Sequence, residues 1–269
     1  METSISMAIR NDSHLDLLYV QNHPERMIPF ATLGLSASMR RTITEAATES
    51  AAQQGEELKQ RFLALCEKHS MSVSPRGTEL EKPSADFLIR DGLRDELIGK
   101  HGRIADLIIV PQPFRISPPP SSFEAALRET GRPVLMVPRG KILVEKGKRL
   151  AIGWNSSKEA AQAISAVMNN LQKAEKVYVI CSEKRMKQPI NSDDVCVYLR
   201  CHGVTTAETV LFDTKRQSPG EALLAKTREL NCDRLIVGGY SRAKIRTVIM
   251  GGVTGHLLEH ADIPVIMVH

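Results

Sequence analysis

Two glycine pairs bracket a basic stretch near the C-terminus. They are Gly238-Gly239 and Gly251-Gly252, with Arg242, Lys244 and Arg246 between them. Glycine lets a backbone come close to a ligand at the end of a strand. A helix opened by Gly251, Gly252 and Val253 presents free N–H groups and a partial positive charge, for which phosphate is the natural occupant. The three basic side chains add cationic reach. The same glycines would also serve tight turns, with the basic residues on a solvated face, and both readings stay open on the residues alone.

Other constellations carry less. His256 and His260 stand at i, i+4, a spacing that can ligate a metal, but their only acidic neighbour, Glu259, points elsewhere on a helix. A solvated face, with no metal site, is the expectation. Asp193-Asp194 falls at an expected helix start, where acidic residues favour the dipole. The sequence contains neither GxSxG nor GxxxxGK[ST], so a hydrolase elbow and P-loop phosphoryl transfer are unsupported. No general base stands out. No catalytic residue is assigned, and at most slow hydrolysis is expected.

The chain that must position these residues has 269 amino acids, 42% hydrophobic and 25% charged, which is ordinary globular usage. No apolar run approaches the ~18 residues of a membrane helix, and the N-terminus has no long apolar segment of the secretory kind. Five cysteines with no CxxC pair disfavour a disulfide framework and fit a reducing cytoplasm. Lys plus Arg exceed Asp plus Glu by 36 to 31, a weak basic bias that suits an anionic ligand. Aromatic residues are only 4%, too few for a single-strand stacking surface, so neither nucleic acid nor membrane is an expected partner.

The chain contains a degenerate repeat. Asp106-Leu-Ile-Ile-Val110 and Pro133-Val-Leu-Met-Val137 return as Asp233-Arg-Leu-Ile-Val237 and Pro264-Val-Ile-Met-Val268, displaced by 127 and 131 residues. Short β-branched runs of this kind read as buried parallel strands. The second half alternates cleanly: strands at 150–154, 177–181, 204–212, 235–237 and 265–268, and helices at 157–171, 193–202, 220–230 and 252–260. Ser157 is the expected N-cap of the first of these helices, and Trp154 either walls a pocket or packs in the core. The pattern implies right-handed crossovers and a doubly wound parallel sheet. The first half reads as a strand at 14–20, a long core-covering helix at 37–68 and more helix at 84–101. Residues 1–11 look like the tail of a helix whose preceding strand would lie before residue 1. Residues 139–148 read as a link.

The segment Gly238 to Gly252 resembles the signature of the universal stress protein (UspA) family: Gly, two residues, Gly, nine residues, Gly and a small residue. Ser241 stands at the second glycine and Gly252 at the usual Ser/Thr. The resemblance is to a tandem member with a truncated, degenerate first copy. The implied fold is α/β: two repeated doubly wound, Rossmann-like modules at 1–140 and 149–269, the first lacking its first strand. The family sheet order 3-2-1-4-5 would then leave two unpaired inner edges. Either the chain begins at an internal start or another segment fills the gap.

The resemblance further implies an adenine nucleotide, ATP with Mg²⁺ as its companion, in the second copy. Asn155 matches the family's Asp after the first strand, and Ser182 the residue ending the second. Gly238, Gly239, Ser241, Gly251, Gly252 and Val253 would surround the phosphates. Pairing through the last strand, within the chain or between chains, is implied too, and the output would be regulatory. In the first half, Pro111 to Pro120 contains no glycine, so that copy would be structural or partner-facing. The competing expectations are a dimeric scaffold of the same fold that binds no nucleotide, and a small hydrolase or nucleotidyl-transfer enzyme.

Overall fold

The computed structural model describes residues 1–21, 36–78, 82–113, 121–140, 147–214, 217–239 and 252–269. The described residues divide into two compact units: those within 1–100, and those within 101–140 and 147–269. Among the described residues, no helix is long and apolar enough to cross a membrane.

In the first unit, helix α1 (Glu2–Arg10) leads into strand β1 (His14–Gln21), then come α2 (Ala37–Lys68), β2 (Ser72–Val73) and β3 (Ser84–Asp91). β1 and β3 pair in parallel over eight residues, and β2 adds to the other side of β3. Ile5 and Ala8 of α1 pack with Phe62 and Cys66 of α2 and Ala85 of β3 in one apolar cluster. That burial drives the association of the three elements. Gly55 lets α2 lie on the sheet, since a Cβ there would sit 2.9 Å from the Tyr19 ring. The first half of α2 is mostly exposed, so only its second half covers the core.

The sequence reading placed helix over 84–101. The structure makes Ser84–Asp91 a strand and starts α3 at Arg94 (Arg94–Gly102). Short apolar runs such as Phe87-Leu-Ile89 do not tell strand from helix by periodicity. Gly92, at φ +147, makes the break between the two elements.

The second unit holds one seven-stranded sheet. Its strands are β4 (Ile108–Pro111), β5 (Val134–Val137), β6 (Arg149–Gly153), β7 (Lys176–Ser182), β8 (Ala207–Phe212), β9 (Arg234–Gly238) and β10 (Val265–Val268). The order is β4-β5-β10-β9-β6-β7-β8. Strands β8-β7-β6-β9-β10 reproduce 3-2-1-4-5 of a doubly wound sheet, all parallel. The exception to parallel pairing is β10 with β5, the last strands of the two repeats. β5 and β4 thus extend the sheet of the second copy, with α4 (Ser121–Glu129) in the connection between them.

Helices α5 (Lys158–Ala166), α6 (Met168–Gln172), α7 (Ser192–Cys201), α8 (Pro219–Glu229) and α9 (Val253–His260) fill the connections. The expected single helix over 157–171 is divided at Val167, which accepts the amides of both Asn170 and Leu171 as a new turn begins. α7 opens with a capping box between Asn191 and Asp194, so the Asp193-Asp194 pair occupies its first turn.

Candidate functional site

Strands β6 and β9 are neighbours whose crossovers leave in opposite directions. Their carboxyl ends flank the switch point, where open α/β sheets place ligands. Gly153 closes β6 opposite Val237, and a Cβ on it would meet Leu223 and Val237 at 2.9 Å. The turn that follows is held locally. Asn155 Oδ1 accepts the amide of Ser157 at 3.1 Å, and Ser157 Oγ caps α5 by accepting from Ala160 N at 3.2 Å. Ser156 between them is left-handed, at φ +60.

Ser182 ends β7 opposite Phe212 and begins a 3-10 turn, Glu183–Lys187. This turn reaches back to the first loop. Arg185 Nη1 donates to the carbonyl oxygen of Asn155 at 2.6 Å, and Ser156 Oγ donates to Ile190 O at 3.0 Å. Asn155 and Ser182 therefore belong to two loops latched together by Arg185. Sequence reasoning missed Arg185. The signal was the run Lys184, Arg185, Lys187 directly after a strand end.

Gly238 and Gly239 are sites of close packing. A Cβ on Gly238 would lie 2.6 Å from Ala160 N, in the first turn of α5. A Cβ on Gly239 would lie 2.8 Å from Leu127 Cδ2, and the Gly239 amide already donates to Val268 O at 2.7 Å. Gly252 differs. It is the N-cap of α9 at φ +108, and among the described residues no side chain caps the helix and nothing lies within 4 Å of where a Cβ would be. Val253 begins the helix behind it. Ser241, Gly251, Arg242, Lys244 and Arg246 lie outside the described residues.

Two buried groups border this end of the sheet. Trp154 is 8% exposed, and its indole N–H has no partner among the described residues. Glu159, 4% exposed, lies against Gly238, with Lys158 at 3.6 Å as its ion-pair partner. Sequence reasoning missed Glu159 as well, because an acidic residue in a first helical turn reads only as dipole complement.

The segment from 156 to 269, which carries β7, β9 and α9 but neither β6 nor Asn155, matches the sequence model of the universal stress protein family. That segment belongs to the universal stress protein family. The fold likeness extends over the whole chain. A universal stress protein from Archaeoglobus fulgidus DSM 4304 superposes with a TM-score of 0.69 at 14% identity, over 99% of this chain and 92% of that one. A functionally unknown protein from Pseudomonas aeruginosa PAO1 gives 0.50 at 18% identity, over 98% and 84%. At such identities the likeness is one of fold. No curated protein matches the chain by sequence.

Outside the universal stress protein switch point, two further clusters bear on chemistry. In the first unit, Ser84, His14 and Asp16 form a chain, with Ser84 Oγ to His14 Nδ1 at 2.8 Å and His14 Nε2 to Asp16 at 3.0 Å. Arg76 holds the same aspartate. Ser84 is 1% exposed, so its hydroxyl ties the strand starts together and is closed to a substrate. On α9, the His256 and His260 rings lie 4.5 Å apart. Burial, then the neighbouring His260 charge, lowers the His256 pKa. Among the described residues no group of three or more His, Cys, Asp or Glu is placed to hold a metal. Burial pushes the Cys232 thiol up to about 12, which keeps it protonated and unreactive.

Proposed function

We propose that the universal stress protein segment, with β6 before it, binds an adenine nucleotide, ATP, and serves a regulatory role in stress response rather than efficient catalysis. The observation that carries this reading is the opening of α9. Its N-terminus packs against Gly220 at the start of α8, and among the described residues no side chain caps it and none lies within 4 Å of where a Cβ on Gly252 would be. The N–H groups of a helix start and its dipole favour a phosphate there. The nucleoside would extend toward Asn155 and Ser182, where Arg185 adds a cation. Gly238 and Gly239 would shape the floor of the site, and Ser241 and Gly251 complete the motif.

A second reading is a scaffold of the same fold that binds no nucleotide. It draws on Gly239, whose amide is committed to Val268 and whose α-carbon packs on Leu127. Equilibrium dialysis with ATP, with and without Mg²⁺, separates the two. Uptake by the intact chain that falls at least about tenfold in Gly252→Val supports the nucleotide reading, since a β-branched residue is strained at positive φ and covers the helix opening. No uptake at millimolar ATP rejects it in favour of the scaffold.

A further inference from the structure

Two sulfurs and a hydroxyl meet where β7 turns into α7. Cys181 Sγ, near the end of β7, lies 3.7 Å from Met186 Sδ in the 3-10 turn and 3.2 Å from Ser192 Oγ at the start of α7. Ser192 Oγ lies 3.2 Å from Met186 Sδ, which closes a triangle. Cys181 and Ser192 are buried, and Met186 is half-buried on the turn. The triangle has three edges and only two protons. A thiol and a hydroxyl each carry one hydrogen, and a thioether carries none. One edge is therefore always a contact between lone pairs, and the thioether is a weak acceptor for whatever donor it receives. All three corners have a lone pair to give to a cation.

We propose that Cys181, Met186 and Ser192 form a site for a soft univalent metal ion, Cu(I), with the two sulfurs as its principal ligands. A point equidistant from the three atoms lies about 2.0 Å from each, a few tenths of an ångström inside a metal–thiolate bond of ~2.3 Å. A small outward shift of Met186, which sits on a five-residue turn, makes up the difference. Thiolate and thioether donors select Cu(I) over harder ions. Charge agrees, because one thiolate neutralises Cu(I) in a buried place, whereas Zn²⁺ would stay cationic there and asks for four ligands. On binding, the Cys181 proton leaves to solvent as the metal–sulfur bond forms, with no change of oxidation state. Burial pushes the thiol up and Asp193 adds to this, while hydrogen bonds from Ser192 and the charge of Arg185 favour the thiolate. The same turn carries Arg185, which holds Asn155 O, so an ion on Met186 would fasten the two latched loops. The site does not depend on the nucleotide reading.

The test uses the intact, reduced chain carrying Cys201→Ser, which removes the exposed thiol and leaves the four buried ones. Cu(I) is supplied without oxygen on a coloured chelator, and its transfer to the chain is followed by the loss of colour. One ion per chain is expected to transfer, and X-ray absorption is expected to show two sulfur neighbours. Met186→Leu keeps the bulk of the side chain and removes the thioether, so it is expected to weaken binding at least about tenfold with little change in the urea midpoint. Cys181→Ser is expected to abolish binding. Should that variant fail to fold, Met186→Leu is read alone. No transfer of Cu(I) overturns the proposal. Full affinity in Met186→Leu overturns it in favour of a solitary thiol, and uptake that survives in Cys181→Ser overturns it in favour of another cysteine.

Discussion

The two halves of the seven-stranded sheet follow one plan and end in different chemistry. β4-β5 and β9-β10 share their hydrogen-bond register to the residue, and they meet across an antiparallel pair, β5 with β10. Where β9 ends in Gly238-Gly239, β4 ends in Pro111-Gln112. The glycines draw other elements in: α5 onto Gly238 and Leu127 of α4 onto Gly239. The first half uses a side chain instead. Gln112 Nε2 donates to Leu258 O at 3.2 Å and to Ala261 O at 3.0 Å, at the end of α9. Leu258 is the repeat equivalent of Leu127. The same pair of positions therefore meets twice, once as a leucine over a glycine and once as a carbonyl held by an amide. The ladder is common to the copies, and the residue just past the strand decides whether a helix, a neighbour or solvent comes next.

Substitution past the strand ends should break this comparison unequally. Gly238→Ala is expected to have the largest effect, a loss of about 3 kcal/mol, because the new methyl meets the backbone of α5, which cannot rotate away. Pro111→Ala, at the equivalent exposed position, is expected to change stability by less than about 1 kcal/mol. Urea unfolding midpoints of the two variants measure the difference, and equal losses would show that the copies are packed alike. Gln112→Ala comes next. It leaves two carbonyls at the end of α9 without their side-chain donor and is expected to cost about 1 kcal/mol by the same measurement. A neutral result would mean that water replaces the amide fully.

Much of the second copy was legible because its apolar runs are short, separated and alternately strand-like and helix-like. The order 3-2-1-4-5 and the pairing of the last strands followed from the resemblance carried by Gly238 to Gly252. The first half was harder. Phe87-Leu-Ile89 is too short to show a period, so β3 was read as helix, and it takes the partner β1 to reveal it as a strand. At the expected site, Asn155 and Ser182 were named only because the resemblance matches them to the family's positions after the first and second strands. Their tie through Arg185 was not, since a hydrogen bond from a 3-10 turn to a backbone carbonyl leaves no pattern in sequence. The roles of Gly238 and Gly239 were open for a related reason. A glycine looks the same in sequence whether it makes room for a phosphate or for the first turn of α5.

The smallest effect concerns α9 itself, the element that the nucleotide and scaffold readings weigh differently. Burial and the nearby His260 charge lower the His256 pKa, so the folded chain holds fewer protons there than the unfolded chain. Stability from this residue is complete above the unfolded value, near 6.5, and is lost as pH falls below it toward the lowered folded value. Arg228 adds to the lowering, while Glu221 and Glu259 favour the charged form and partly offset it, which keeps the expected slope shallow. His256→Gln keeps the Cβ that packs 2.7 Å from where a Cβ on Gly220 would stand, while removing the titration. The urea midpoint of the native chain should therefore fall between pH 7 and about pH 5.5 more steeply than that of the variant. Parallel curves would mean that His256 titrates alike in both states. Because the ring lies one turn past Gly252, a nucleotide phosphate on α9 should favour its protonated form and flatten the native slope when ATP is present. That flattening distinguishes a phosphate held at the helix opening from one bound elsewhere.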